Sequence, residues 1–178
     1  MSLRRRPAPE EHAPYYARYI ALVPDGDIVE TLRRQIVETR ALLGGVSPER
    51  AAVRYAPGKW SVTEVVGHLA DGERVFAHRA LRFARGDRTP LPGFDENDYA
   101  ATARYASRPL ADVLAELETV RAASVALFGT FDDAELSRRG IANEAEISVR
   151  AIVWIIAGHE LHHRSVLRER YLAPAAGA

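Results

Sequence analysis

The chain has 178 residues, enough for one well-packed domain, and its 24 Lys and Arg balance 24 Asp and Glu. Balanced charge excludes a global field steering it to nucleic acid or anionic lipid, and the absence of Cys excludes disulfides, thiolate nucleophiles and cysteine-bearing zinc sites. Pro7 and Pro9 follow Arg4, Arg5 and Arg6 where a signal peptide would place an apolar run, and the longest apolar stretch, Ala151 to Gly158, falls well short of a membrane span, so a soluble, cytoplasmic protein is expected.

Residues 1–14 read as a flexible tail carrying the solvated Arg triplet. Residues 15–172 read as one helical domain. Tyr15, Tyr16 and Tyr19, followed by the Pro24-Asp25-Gly26-Asp27 turn, predict an arm lying across the outside of a bundle. Helix one is predicted from Asp27 to Leu43: Asp25 or Asp27 offers a cap, Gly44-Gly45 a stop, and Ile28, Leu32, Ile36 and Leu43 a buried stripe. Val46-Ser47-Pro48-Glu49 reads as a short helical turn, and Tyr55 to Trp60 as an extended loop. Ser61-Val62-Thr63-Glu64 then spells a capping box that starts helix two, with Val62, Val65, Val66, Leu69 and Phe76 facing the core.

Residues 85–106, rich in Gly, Pro and polar residues around Phe94, Tyr99 and Tyr105, make a connection long enough to be either a surface loop or a lid over a site. Helix three is predicted from Pro109 to Phe128, with Ser107 near its cap and a stripe of Val113, Leu117, Val120, Ser124 and Leu127 or Phe128. Phe131 to Leu136 reads as another short turn. A polar stretch through Gly140, Asn143 and Glu146 leads to helix four, capped by Ser148 and running to about Tyr171. The Ala-rich segment 173–178 reads as a disordered tail. Four amphipathic segments joined by long connections predict an all-α four-helix bundle without a substantial sheet.

Chemistry concentrates in helix four. His159 and His163 fall on the stripe of Ile152, Ile156, Val166 and Leu167, and imidazoles four residues apart on one helical face can chelate one metal ion. A His159/His162 pair is also sterically open, and the stripe favours His163. His159 to His163 spells H-E-x-x-H, with Glu160 and His163 in place. A zinc peptidase needs a third ligand downstream, yet Val166 and Glu169 stand where one extension wants Gly and His, and no acidic residue follows Glu169. A third ligand must come from upstream, and His68, on helix two one turn before Gly72, is the best placed. His78, beside Arg79, and His12, in the tail, are weaker candidates. No G-x-S-x-G elbow or phosphate loop competes with a metal site, since Gly44-Gly45 lacks the following Lys-Ser/Thr. Basic residues do not interleave with aromatics as a nucleic-acid groove requires.

Trp60-Ser61-Val62-Thr63-Glu64-Val65-Val66-Gly67-His68-Leu69-Ala70-Asp71 and Gly158-His159-Glu160-Leu161-His162-His163 together resemble the two halves of the DinB/YfiT-like metal-site signature. The resemblance covers about residues 15–172. It implies a four-helix bundle in up-down-down-up order, one divalent metal ion held by His68, His159 and His163, and a homodimer. His162 is left in a flanking role. Members of this family include thiol-S-transferases using bacillithiol or mycothiol, a maleylpyruvate isomerase, and many proteins classed as metal-dependent hydrolases without a known substrate. The expected function is therefore a metal-dependent hydrolase or thiol-S-transferase acting on a small molecule, with a low-molecular-weight thiol as a candidate partner. The alternative is a non-catalytic, metal-stapled bundle that binds a ligand or a partner. Zinc, nickel or iron all suit a His-only ligand set. Metal-bound water would be the reactive group, and Glu160, Glu64 and Asp71 are the candidate helpers around it.

Overall fold

The structure, a computed structural model, describes residue 3 and residues 5–173. Met1, Ser2, Arg4 and residues 174–178 lie outside it, and with them most of the expected C-terminal tail. Eight α-helical segments are present among the described residues: α1 Ala17–Ile20, α2 Ile28–Leu43, α3 Pro48–Ala51, α4 Val62–Ala84, α5 Glu96–Thr102, α6 Leu110–Phe128, α7 Asp133–Ser137 and α8 Val149–Val166. A π-helical turn, Leu167–Leu172, extends α8. None of these helices is long and apolar enough to cross a membrane.

The bundle consists of α2, α4, α6 and α8, and the expected start signals work as chemistry. Asp27 accepts from the backbone N–H groups of Val29 and Glu30. The Ser61 hydroxyl accepts from Glu64 N–H while Glu64 reaches back to Ser61 N–H, completing the capping box. Ser148 accepts from Ala151 N–H at the head of α8. Ser107 is different: it closes a 3₁₀ turn over Tyr105–Ser107, and α6 begins directly after Pro109.

Two apolar clusters define the topology. One joins the starts of α2 and α8 (Ile28, Leu32, Ile152, Ile156) to the ends of α4 and α6 (Phe83, Phe128). The other joins the end of α2 (Leu43) and the turn after α8 (Leu167, Tyr171) to the starts of α4 and α6 (Val62, Val66, Leu110, Leu117). The helices therefore run up, down, down, up. α2 and α4 each pack on both α6 and α8, which closes the four into one bundle. The connection 85–109 carries the chain from the end of α4 back to the start of α6, the crossing this order requires.

Between the two clusters lies a belt of buried polar groups. Arg121 on α6 donates to both oxygens of Glu73 on α4, at 2.8 and 2.7 Å, and to the backbone carbonyl of Leu32 on α2 at 3.0 Å. It also pairs with Glu160 on α8 at 2.7 Å. Thr39 donates to Glu160, and Gln35 to the carbonyl of Ala157. One guanidinium thus touches all four helices. Glu160 itself is buried.

Three features depart from expectation. The polar stretch before α8 is a β-hairpin, β1 Arg139–Ala142 and β2 Ala145–Ser148, in which Arg139 pairs with Ser148 and Ala142 with Ala145. Asn143 and Glu144 make its two-residue turn with φ of 51° and 63°, the geometry of a type I′ turn. The 85–106 connection holds α5 and is tied to the hairpin, because Leu91 N–H donates to Ile141 O and Leu91 O accepts from Asn143 N–H. Residues 5–14, expected within a flexible tail, are anchored. Arg6 donates to the carbonyls of Ile20 and Val23 at 2.6 and 2.7 Å, and Glu11 is buried against Ser148 and Arg150 at 2.7 and 2.8 Å.

Two outcomes follow from these buried charges. Arg121→Met leaves Glu73 and Glu160 buried without their shared cation, so urea unfolding should show a loss of about 3–5 kcal/mol. Burial alone would raise the Glu11 carboxyl, but Ala8 N–H, the Ser148 hydroxyl and Arg150 outweigh it and hold the group below its ordinary range. A carboxyl depressed in the folded state contributes stability above its unfolded pKa and loses it as pH falls through the folded one. Acidification from about pH 5 downward should therefore release the N-terminal segment in wild type. Hydrogen exchange of residues 5–14 should show Glu11→Gln already loosened at neutral pH and less sensitive to acid.

Candidate metal centre

His68, in the second turn of α4, and His159 and His163, one turn apart on α8, face one another across the α4–α8 seam. The Nε2 atoms of His68 and His159 are 3.0 Å apart, and those of His163 and His159 are 3.1 Å apart. The candidate ligand atoms of all three rings lie within 4.8 Å of one another. Among the described residues no further His, Asp or Glu joins this group. Burial pushes His68 down to about 4 and His163 down to about 3, the latter with help from the facing His68 and His162. His159 is lowered well below its ordinary value, by burial first and then by the neighbouring histidines. At neutral pH these imidazoles are therefore uncharged, which is the form that donates a nitrogen lone pair to a metal.

Three converging neutral imidazoles fit a divalent ion, with Arg18 on the cleft side of His159. Behind His159 sit Glu73, Glu160 and Arg121, two carboxylates against one guanidinium. The rings are held in place by aromatic contacts: the Trp60 ring lies 4.6 Å from that of His68, and Tyr19 presents its edge to His159 at 5.5 Å. His162 leans on Tyr19 and on the flank of His163, with ring centroids 5.4 and 5.1 Å away, outside the cluster.

The other sequence candidates stand elsewhere. Glu160 faces the polar belt and is occupied by Arg121 and Thr39. Glu64 is spent on the capping box and Arg54. Asp71 pairs with Arg74 at 3.3 Å and acts on the Tyr105 hydroxyl. His78 is exposed, and the Nδ1 of His12 sits 3.0 Å from the carbonyl of Ala13.

A cleft of about 510 Å³ opens onto the three histidines. Its walls come largely from outside the four main helices: Tyr15, Tyr16, Arg18 and Tyr19 from the arm, Phe94 and Glu96 from the 85–106 connection, and Asn143 from the hairpin turn. That connection, open from sequence between a surface loop and a lid, supplies one wall of the cleft. Sequence reasoning passed over Arg79, which also lines it; the available signal was a charged residue on the buried stripe of α4, three positions after Phe76. The arm reaches the site because α8 carries Gly158 where α1 crosses. A Cβ there would stand 2.0 Å from the carbonyl oxygen of Tyr19, so no larger residue allows the approach. Gly158→Ala should lift the arm, raising hydrogen exchange across residues 15–23 while circular dichroism still shows the four helices.

The likenesses to known proteins agree with this geometry. Two bacterial proteins provisionally named metal-dependent hydrolases align with it: one of Oceanobacillus iheyensis is 26% identical over 137 residues, covering 76% of each chain, and one of Geobacillus kaustophilus is 28% identical over 130 residues, covering 71% of this chain and 72% of that one. Among solved structures, YfiT from Bacillus subtilis, whose four-helix topology is described as unusual, superposes with a TM-score of 0.71 at 20% identity, over 79% of this chain and 84% of the other. A mycothiol-dependent maleylpyruvate isomerase superposes with a TM-score of 0.67 at 12% identity, over 88% of this chain and 64% of that one. The family model of the DinB superfamily matches residues 31–167, which takes in all three histidines: the chain belongs to the DinB superfamily.

Proposed function

We propose that His68, His159 and His163 hold one divalent metal ion, and that the protein is a metal-dependent enzyme acting on a small molecule bound in the adjoining cleft. The observation that carries this reading is the convergence of three uncharged imidazoles at the wall of an accessible cleft. Three imidazoles leave coordination positions free, and an ion so held supplies a Lewis acid able to lower the pKa of a bound water or to stabilise a thiolate. Hydrolysis and thiol transfer are the two reaction types this chemistry serves. The names of the relatives support the first and the mycothiol dependence of one fold neighbour supports the second. Zinc or nickel suits the donor set, with iron also accommodated.

This chain's own residues have separable roles in that reading. Trp60 and Tyr19 fix the ring planes of His68 and His159. The Arg121–Glu73–Glu160 group stands behind the imidazoles and ties together the helices that carry them. The arm and the 91–96 segment wall off solvent from the cleft while leaving it accessible. A metal that only stapled the helices would need a sealed site, and the open cleft favours catalysis.

Protein purified without a His-tag should carry about one equivalent of metal by elemental analysis. His68→Ala and His163→Ala should weaken metal binding at least about 100-fold, more than the loss typical for a residue that merely supports a ligand. His162→Ala should cost less than about tenfold, with helicity unchanged in every case. Loss of metal in His162→Ala with retention in His163→Ala would place the second α8 ligand at 162. A screen of thiol-transfer and ester-hydrolysis substrates with the restored metal then separates the two reaction types.

A further inference from the structure

Four arginines are buried among the described residues, and three have a carboxylate partner. Arg121 is paired with Glu73 and Glu160, Arg150 with Glu11, and Arg164 with Glu38. Arg79 has none among the described residues. It is only 4% exposed, and its hydrogen bond is one from Nη2 to the carbonyl of Pro92 at 2.8 Å. The guanidinium lies over the rings of Phe76 and Phe94, at 5.4 and 5.8 Å from their centroids, and lines the cleft that opens onto the histidines. Glu96 is the carboxylate among the cleft's lining residues, and it makes no ion pair with Arg79.

A guanidinium stays charged at any physiological pH, so a buried one without a counterion carries an uncompensated desolvation cost. Phe76 and Phe94 offset part of it through their ring faces. The remaining nitrogens form a planar fork suited to a carboxylate. We propose that Arg79 is the anchor for a carboxylate on the molecule that occupies the cleft. One guanidinium with one donor already given to Pro92 matches a single negative charge better than a dianion. A Cβ on Gly72 would stand 3.5 Å from the His159 ring, which places that residue beside the histidines. Gly72 precedes Arg79 by two turns of α4, about 10 Å along the axis. The ligand class is then a monocarboxylate whose apolar or aromatic body runs between Phe76 and Phe94 and whose far end, roughly 10 Å away, meets the histidines. This specificity role rests on the reading of the cleft as the substrate site.

The test compares octanoate with octanamide, ligands of equal length that differ in charge, by calorimetry at mildly alkaline pH. It uses chelator-treated protein, so that no metal competes for the carboxylate. Wild type should bind octanoate at least about tenfold more tightly. Arg79→Gln should abolish the preference, and Arg79→Lys should keep part of it; thermal melts establish that both variants fold. Equal binding of the two ligands by wild type, or a preference that survives Arg79→Gln, would overturn the proposal. Zinc titration of the same wild-type sample tests the histidine site separately: a failed metal site leaves the octanoate preference in place, and a failed anchor leaves zinc binding intact.

Discussion

One buried guanidinium holds the bundle together. Arg121 bonds to Glu73 on α4, pairs with Glu160 on α8 and reaches a backbone carbonyl on α2, so the four helices meet at a single planar group. Charges at this depth are tolerated only when fully paired, which makes the arrangement a constraint on register more than a source of stability. A one-residue rotation of any helix would leave a carboxylate or the guanidinium without its partner. The apolar clusters above and below can repack; the belt cannot.

That constraint also sets the histidines. Glu160 follows His159 directly, so fixing one by Arg121 and Thr39 fixes the rotation of α8 at the other. Glu73 lies a little over one turn beyond His68 and does the same for α4. The polar belt and the imidazole cluster are therefore two sides of one layer, the first closed by ion pairs and the second open to the cleft. Burial keeps the imidazoles neutral.

The up-down-down-up order has a functional consequence. It needs a long connection between α4 and α6, and that connection, with the arm and the hairpin turn, carries the non-helical walls of the cleft. The arm is drawn in by Gly158 and anchored by Arg6; the 91–96 segment is pinned by the hairpin and by Arg79. The four helices supply the histidines and the rigid frame. The connections decide the shape of what binds beside them.

Much of this was legible in the residues alone. The Ser61 capping box, the Asp27 and Ser148 caps and the apolar stripes depend on neighbours within a turn, and they placed the starts of α2, α4 and α8 within a residue. The spacing of His159 and His163 on the Ile152/Ile156 stripe is equally local, and with His68 it named the three rings that converge. What sequence left open was everything requiring a partner distant along the chain. Glu160, Glu64 and Asp71 read alike as candidate helpers because Arg121, Thr39, Arg54 and Tyr105 are absent from a helical wheel. The hairpin, the anchored N-terminal segment and the placement of Arg79 at the cleft were decided by tertiary structure. The last two depend on contacts between segments far apart in sequence, where charge and hydrogen bonding are satisfied by whatever the fold brings near; the hairpin pairs close neighbours, and only its bonds to Leu91 are long-range.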